Sequence, residues 1–154
     1  MTRHDNPGQL CLIDAFGLLD VAAEPAEDGT VRCEWHSRPI VASMCGPELN
    51  AIMTVGLVPY PAEIPAWRTL ALATFANRVG APLKVMVGSK ALVVGASMLV
   101  SAPGRVPPAE RAAECVNVTC SLVCEAMDHL ESQLAEAAVE FTGGQDGAEG
   151  EDGV

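Results

Sequence analysis

Basic residues are missing from the C-terminal part of this 154-residue sequence. All nine lysines and arginines lie at or before Arg111, and the remaining residues carry ten acidic side chains and no basic one. The net charge of -11 therefore comes almost entirely from residues 112–154. Because an acidic surface repels phosphate backbones, we expect no nucleic-acid partner. A solvated helix face, or a basic peptide as partner, fits this charge distribution better.

Long hydrophobic runs are also absent. The uncharged stretches 49–62 and 91–104 are too short to cross a bilayer, which takes about 20 apolar residues in a helix. The first residues lack the apolar core of a secretion signal. We therefore expect a cytoplasmic protein with no membrane partner, in which the six cysteines are reduced thiols.

Catalytic motifs are missing as well. The sequence has no GxSxG, no Walker loop and no GxGxxG, and nothing in the spacing of its three histidines (His4, His36 and His129) suggests a nucleophile pair. We therefore expect no catalytic residues, no cofactor and no bound metal. The sequence predicts a protein that is not an enzyme.

The hydrophobic periodicity predicts an α+β domain over residues 1–141, followed by a disordered, acidic and Gly-rich tail over residues 142–154. Asn6-Pro7 is typical of a helix start, with a capping side chain before a proline. The predicted order is helix, three strands, helix, two strands and a long C-terminal helix, over about 7–20, 31–36, 40–45, 51–58, 63–79, 83–87, 92–100 and 107–140. An antiparallel twisted sheet with the helices packed on one face is the natural arrangement for this order.

The last predicted strand is uncharged on both sides, which is typical of a strand that is covered on both faces. In a domain this small, the second face meets another copy or a ligand peptide, unless it is simply the small, apolar back of a central strand. We take this strand as the first candidate groove for a partner, formed by Leu92, Val94, Met98 and Val100.

The long C-terminal helix carries a narrow apolar seam at alternating steps of three and four residues. The helix would be roughly 50 Å long, whereas strands of ~5–6 residues span only ~17–20 Å, so part of the seam needs another partner. We expect a homodimer, and the candidate interface residues are Met127, Leu130, Leu134 and Phe141. Phe141 is equally suited to fold back on its own domain.

The cysteines suggest an alternative function. Cys115, Cys120 and Cys124 share the long helix with Asp128 and His129, which would suit a metal- or redox-responsive regulator. One helical ridge supplies at most two or three of the four ligands that zinc needs, and buried free thiols are common core residues. Cys33 and Cys45, on neighbouring predicted strands, are candidates for a redox pair. Both tryptophans, Trp35 and Trp67, are predicted to lie in the core.

The element order and several short stretches resemble the type III secretion chaperone-like fold and, within it, the bacterial YbjN family. These stretches are Val58-Pro59, Trp67, Asn77-Arg78 and Pro82-Leu83-Lys84. The resemblance implies a homodimer with a twisted antiparallel sheet that holds an extended client segment against apolar patches, without ATP or metal. We therefore expect a non-catalytic protein-binding module, chaperone-like or regulatory, whose client the sequence does not identify.

Overall fold

The structure, a computed structural model of the chain, describes residues 6–45, 50–59, 64–78, 83–101 and 105–152, and within these it describes the side chains except those of residues 66, 72, 75, 76, 78 and 140–152. The elements are α1 (Pro7–Leu18), β1 (Ala23–Pro25), β2 (Val31–Trp35), β3 (Arg38–Cys45), β4 (Ala51–Pro59), α2 (Ala66–Arg78), β5 (Leu83–Val87), β6 (Ala91–Leu99) and α3 (Ala109–Asp152). The α+β fold class predicted from the sequence is confirmed.

The six strands form one sheet in the order β1-β2-β3-β4-β6-β5, and every neighbouring pair is antiparallel. The sequence predicted five of these strands. It missed β1, because Pro25 and the polar residues after it indicated only a turn. The structure pairs Ala23 with Cys33 and Pro25 with Val31, so this short segment forms one edge of the sheet.

Helix α1 begins as the sequence predicted. Asn6 is the N-cap, and its Oδ1 accepts a hydrogen bond from the Gln9 backbone N–H at 3.1 Å. The buried Gln9 side chain then donates from Nε2 to the carbonyl oxygens of Ala26 and Thr30, both at 2.9 Å. These bonds hold the turn between β1 and β2 against the helix.

A two-residue turn joins β2 to β3. Trp35 pairs with Arg38, and both turn residues have positive φ angles, 49° for His36 and 66° for Ser37. Such angles at both central positions belong to the mirror-image turns whose twist suits an antiparallel hairpin. The turn places Arg38 at the rim of the sheet, where it reaches α3.

Helices α1 and α3 lie side by side on one face of the sheet and form the core with it. The apolar seam of α3 is buried within the single chain as far as Ala137, which is 6% exposed. The sheet and α1 together cover the seam up to this residue, so this part of it needs no second copy. Strands β4 and β6 have nine residues each and span about 30 Å at ~3.3 Å per residue, well beyond the length assumed from average strands.

Helix α3 continues to Asp152, beyond the predicted end near Glu140. Side chains from residue 140 onward lie outside the described part, and this includes Phe141. The division into a domain over residues 1–141 and a tail over residues 142–154 stays a prediction.

Candidate functional site: the outer face of the sheet

One face of the sheet is covered by α1 and α3, and the other is not. We call the side chains that point away from these helices the outer face. Large apolar side chains are exposed there: Val41 is 37% exposed, Met53 38%, Leu57 56%, Met86 63% and Leu99 69%. They come from β3, β4, β5 and β6, so the exposed apolar area crosses four adjacent strands.

The centre of the outer face carries no charge on β3, β4 or β6. Charged side chains appear only toward its borders, where Arg32 and Glu34 lie on β2 and Lys84 lies on β5. A contiguous apolar patch with a polar rim is typical of a surface that binds another protein.

The four residues predicted to bind a partner lie on the opposite side of β6. Leu92 and Val94 are fully buried, Val100 is 5% exposed, and Met98 is partly buried against the core. A partner would reach them only if α3 moved away from the sheet, so their role in binding stays a prediction. The accessible side of this strand is the one that carries Val93 and Leu99.

The residues predicted for the dimer interface are also covered by their own chain. Met127 is 2% exposed, Leu130 1% and Leu134 2%, all within the core cluster. A second copy could contact these three side chains only by displacing the sheet or α1. Their role in self-association therefore stays a prediction that the single-chain packing does not favour.

Both edges of the sheet are partly protected against pairing with a further strand. At the β5 edge, the Asn77 side chain donates from Nδ2 to the Val85 carbonyl oxygen at 2.8 Å, and its Oδ1 accepts from the Val85 N–H at 2.7 Å. Asn77 thus occupies the backbone groups that an added strand would use. At the other edge, β1 has only three residues and ends in Pro25, which has no N–H to donate. A partner is therefore expected to dock on the outer face.

A second exposed apolar site lies on α2. Trp67 is 67% exposed, and Leu70, three residues later and on the same side of the helix, is 58% exposed. The prediction that Trp67 belongs to the core is wrong, because α2 lies beside β5 and turns this side of the helix to solvent. Trp35, by contrast, is buried as predicted, with 7% exposed.

The cysteines are arranged differently from the sequence prediction. The strand register places Cys33 opposite Ile40 and Cys45 opposite Ala51, so these two do not face each other across the hairpin. Cys33 points to the helices and packs against the core that also contains Cys120 of α3. One helical turn later, the Cys124 thiol donates to the Trp35 carbonyl oxygen at 3.7 Å.

The pKa values of Cys33 and Cys120 are shifted in opposite directions. The pKa of Cys33 is lowered because the Cys120 thiol donates a hydrogen bond to its sulfur, and this outweighs the cost of burial. The pKa of Cys120 is raised by the same hydrogen bond and by its burial.

Arg38 joins the rim of the hairpin to α3. Its Nη1 and Nη2 donate to Glu131 at 2.7 and 2.6 Å, and Nε donates to Asp128 at 3.1 Å. These bonds raise the pKa of Arg38 and lower the pKa of Glu131 below its usual value. Asp128, which the metal hypothesis treated as a candidate ligand, is thus engaged in an ion pair.

In the described ranges, no three His, Cys, Asp or Glu side chains are grouped so that they could hold a metal ion. His36 lies in the β2–β3 turn, His129 lies exposed on α3, and His4 lies outside the described residues.

Among the described residues, no helix has both the length and the apolar character needed to span a membrane.

Comparisons with known proteins identify the fold and no family. No known family profile matches the sequence, and no curated protein matches it either. Among solved structures, the chain is similar to one reported as the structure of the HopA1–SchA chaperone–effector complex, with a TM-score of 0.57 and 14% sequence identity. The alignment covers 80% of this chain and 92% of the matched chain. The shared fold is thus chaperone-like, as the element order predicted.

Proposed function

We propose that this protein is a non-catalytic, homodimeric module that holds a protein or peptide client on the outer face of its sheet. The observation that carries the proposal is the uncharged apolar area formed by Val41, Met53, Leu57 and Leu99. The chaperone-like fold supports it, because the similar structure is that of a chaperone bound to an effector. We place the protein in the cytoplasm and regard it as a distant relative of the YbjN family, on the short sequence matches given above.

The closed sheet edges define how the client binds. Backbone pairing is hindered at one edge by Asn77, which occupies the groups of Val85, and at the other by the short β1. A client would therefore be held by side-chain burial, and an extended or helical segment with several large apolar residues fits this surface. Specificity in such a complex would come from the charged borders, where Glu34 and Lys84 flank the apolar centre.

We assign self-association to the exposed side of α2. Trp67 is 67% exposed and the neighbouring Leu70 is 58% exposed, and contact of such large apolar side chains with water is unfavourable in a monomer. Tryptophan is also strongly enriched at binding hot spots. This assignment replaces the seam on α3 as the candidate interface and leaves the outer face free for the client.

The acidic residues of α3 serve solubility in this arrangement. Glu114, Glu125 and Glu136 are exposed on the side of α3 that faces away from the sheet. The helix alone is ~10 Å across, so these charges lie more than one Debye length of about 8 Å from the outer face. They keep the protein soluble while an apolar face is uncovered, and they contribute little to steering a client.

A single set of variants tests both surfaces. Leu57→Glu with Leu99→Glu changes the outer face, and Trp67→Asp changes α2. Leu10→Glu with Leu18→Glu is the matched control, because these α1 residues are similarly exposed, at 50% and 57%. Client binding is measured by fluorescence anisotropy with labelled, unstructured peptides of increasing hydrophobicity. Mass is measured by light scattering.

We expect the wild-type protein to have twice the chain mass of 16.0 kDa and to bind the apolar peptides. The outer-face variant should keep its mass and bind at least about tenfold more weakly, a loss of ~1.4 kcal/mol. Trp67→Asp should become monomeric and keep its affinity. Equal affinity of the outer-face and wild-type proteins would overturn the client surface, and an unchanged mass of Trp67→Asp would overturn the assignment to α2.

A further inference from the structure

Methionines lie on both sides of the sheet, and two of those that the structure describes are exposed. Met86 of β5 is 63% exposed and Met53 of β4 is 38% exposed, and both point to the outer face. Met44 and Met98 are partly buried against the core, and Met127 is fully within it. The two methionines that solvent reaches most easily therefore belong to the proposed client surface.

The strand register places Met86 in a continuous apolar row. Met86 pairs with Val93 of β6, and Val93 pairs in turn with Leu57 of β4, so the three residues lie side by side across adjacent strands. Neighbouring strands are about 4.8 Å apart, which puts the Cα atoms of Met86 and Leu57 roughly 10 Å from each other. A client side chain that covers this row is expected to contact the Met86 thioether as well.

Met53 extends the same surface along β4. It lies four residues from Leu57 on the same side of the strand. Its register partners are Ser43 and Ser97, so Met53 has the longest side chain of these three residues. An unbranched thioether adapts its shape to different apolar partners, which suits a surface that holds an unstructured client.

We propose that Met53 and Met86 are oxidation sites through which a hydroperoxide weakens client binding, an inference that rests on the proposed function of the outer face. At each site the thioether sulfur attacks the terminal peroxide oxygen, so that an S–O bond forms and the O–O bond breaks. The proton on that oxygen moves to the departing alkoxide, which leaves as an alcohol or, from hydrogen peroxide, as water. The sulfur loses two electrons, the peroxide gains them, and the product is methionine sulfoxide.

The sulfoxides change the outer face without changing the core. In the free protein each sulfoxide oxygen is hydrogen-bonded to water, because both side chains are exposed. A client that covers this oxygen removes the water, and its apolar side chains offer no hydrogen bond in return. We expect oxidation of both residues to weaken client binding at least about tenfold. Methionine sulfoxide reductases would reverse the change.

The test treats the full-length protein with hydrogen peroxide and then with dithiothreitol, which returns disulfides and sulfenic acids to thiols and leaves methionine sulfoxide in place. Peptide mapping by mass spectrometry locates the added oxygen. Binding of the labelled apolar peptides is measured by anisotropy before and after treatment. We expect oxygen on Met53 and Met86 before Met98 and Met127, weaker peptide binding, and an unchanged Tm.

Met53→Leu with Met86→Leu is the resistant variant, because leucine keeps the apolar volume and has no sulfur to oxidise. This variant should bind the peptides like the wild-type protein before treatment and keep its affinity afterwards. Met98→Leu is the matched control, because Met98 lies on the inner side of β6. It should lose affinity on oxidation as the wild-type protein does.

The outcomes separate this inference from the proposed function. Equal affinities before and after oxidation of both residues in the wild-type protein would overturn the inference and leave the proposed function standing. An equal loss of affinity in the resistant variant would also overturn the inference, because other side chains would then be responsible. A reduced wild-type protein that binds none of the apolar peptides would overturn the proposed function, and the inference with it.

Discussion

The two faces of the sheet both carry large apolar side chains and differ in what lies over them. On the inner face, Leu92 and Val94 of β6 are fully buried beneath the helices. On the outer face of the same strand, Leu99 is 69% exposed. Neither side of β6 carries a charge, so the packing of α3 decides which side becomes core. The other side stays exposed to solvent.

The largest expected difference between the faces concerns two leucines on one strand. Leu92→Ala should lower the free energy of unfolding by ~2–5 kcal/mol, because it leaves a cavity in a packed core. Leu99→Ala should change it by less than ~0.5 kcal/mol, because the side chain is mostly in water already. Urea unfolding followed by circular dichroism measures both. Similar losses for the two variants would mean that Leu99 is covered in solution, either by α2 of another copy or by an outer face that pairs with itself.

Two glycines give a finer comparison. A Cβ added to Gly56, on the inner face of β4, would lie 3.0 Å from Met127 Cε and 3.1 Å from Val123 Cγ1. At Gly95, on the outer face of β6, the nearest atom is 3.7 Å away. We expect Gly56→Ala to cost ~1–3 kcal/mol by overpacking, and Gly95→Ala to be neutral or to stabilise by up to ~1 kcal/mol.

Thermal unfolding of the two glycine variants, monitored side by side, checks this difference. A destabilised Gly95→Ala variant would indicate that another chain approaches the outer face closely at this position. A neutral Gly56→Ala variant would indicate that α3 packs more loosely on β4 than the structure shows.

The smallest expected effect concerns the rim, where Arg38 holds α3 to the β2–β3 turn. The hydrogen bonds from Arg38 lower the pKa of Glu131 in the folded state. This carboxylate therefore contributes stability above its unfolded pKa of about 4.3, and the contribution is lost as the pH falls through the lower, folded-state pKa. The Glu131 side chain is 44% exposed, so we expect less than ~1 kcal/mol.

Glu131→Gln should accordingly remove part of the loss of stability between pH 5 and pH 2. Urea unfolding at a series of pH values measures this, with Glu136→Gln on the exposed side of α3 as the control. Identical pH profiles for the wild-type protein and Glu131→Gln would show that the ion pair at the rim contributes nothing.

Much of the fold could be predicted from local signals. The start of α1 follows from Asn6-Pro7, and the alternation of Val31, Cys33 and Trp35 predicts β2 with the correct buried side. Strand β1 could not be predicted in the same way, because three residues are too few to show a period of two. The turn that joins it to β2 is held by the Gln9 side chain, which is distant in sequence from that turn.

The candidate site was harder to predict because it depends on tertiary packing. A strand with apolar residues on both sides shows no preference for either side, so the choice of Leu92 and Val94 over Val93 and Leu99 could not be made from periodicity. Trp67 was assigned to the core for its size, whereas its exposure depends on where α2 lies relative to β5. The hydrogen bond from the Cys124 thiol to the Trp35 carbonyl likewise joins two elements that no local pattern relates.

The side chain of Asn77 has a consequence for how this protein would fail. A sheet with an exposed apolar face can nucleate fibrils, which grow when each new chain pairs its backbone with the edge strand of the last one. Asn77 occupies the amide and carbonyl of Val85, where such growth would begin. At high concentration or after destabilisation, the protein is therefore expected to form amorphous aggregates and not ordered fibrils. Asn77→Ala frees these backbone groups and is expected to favour fibrils.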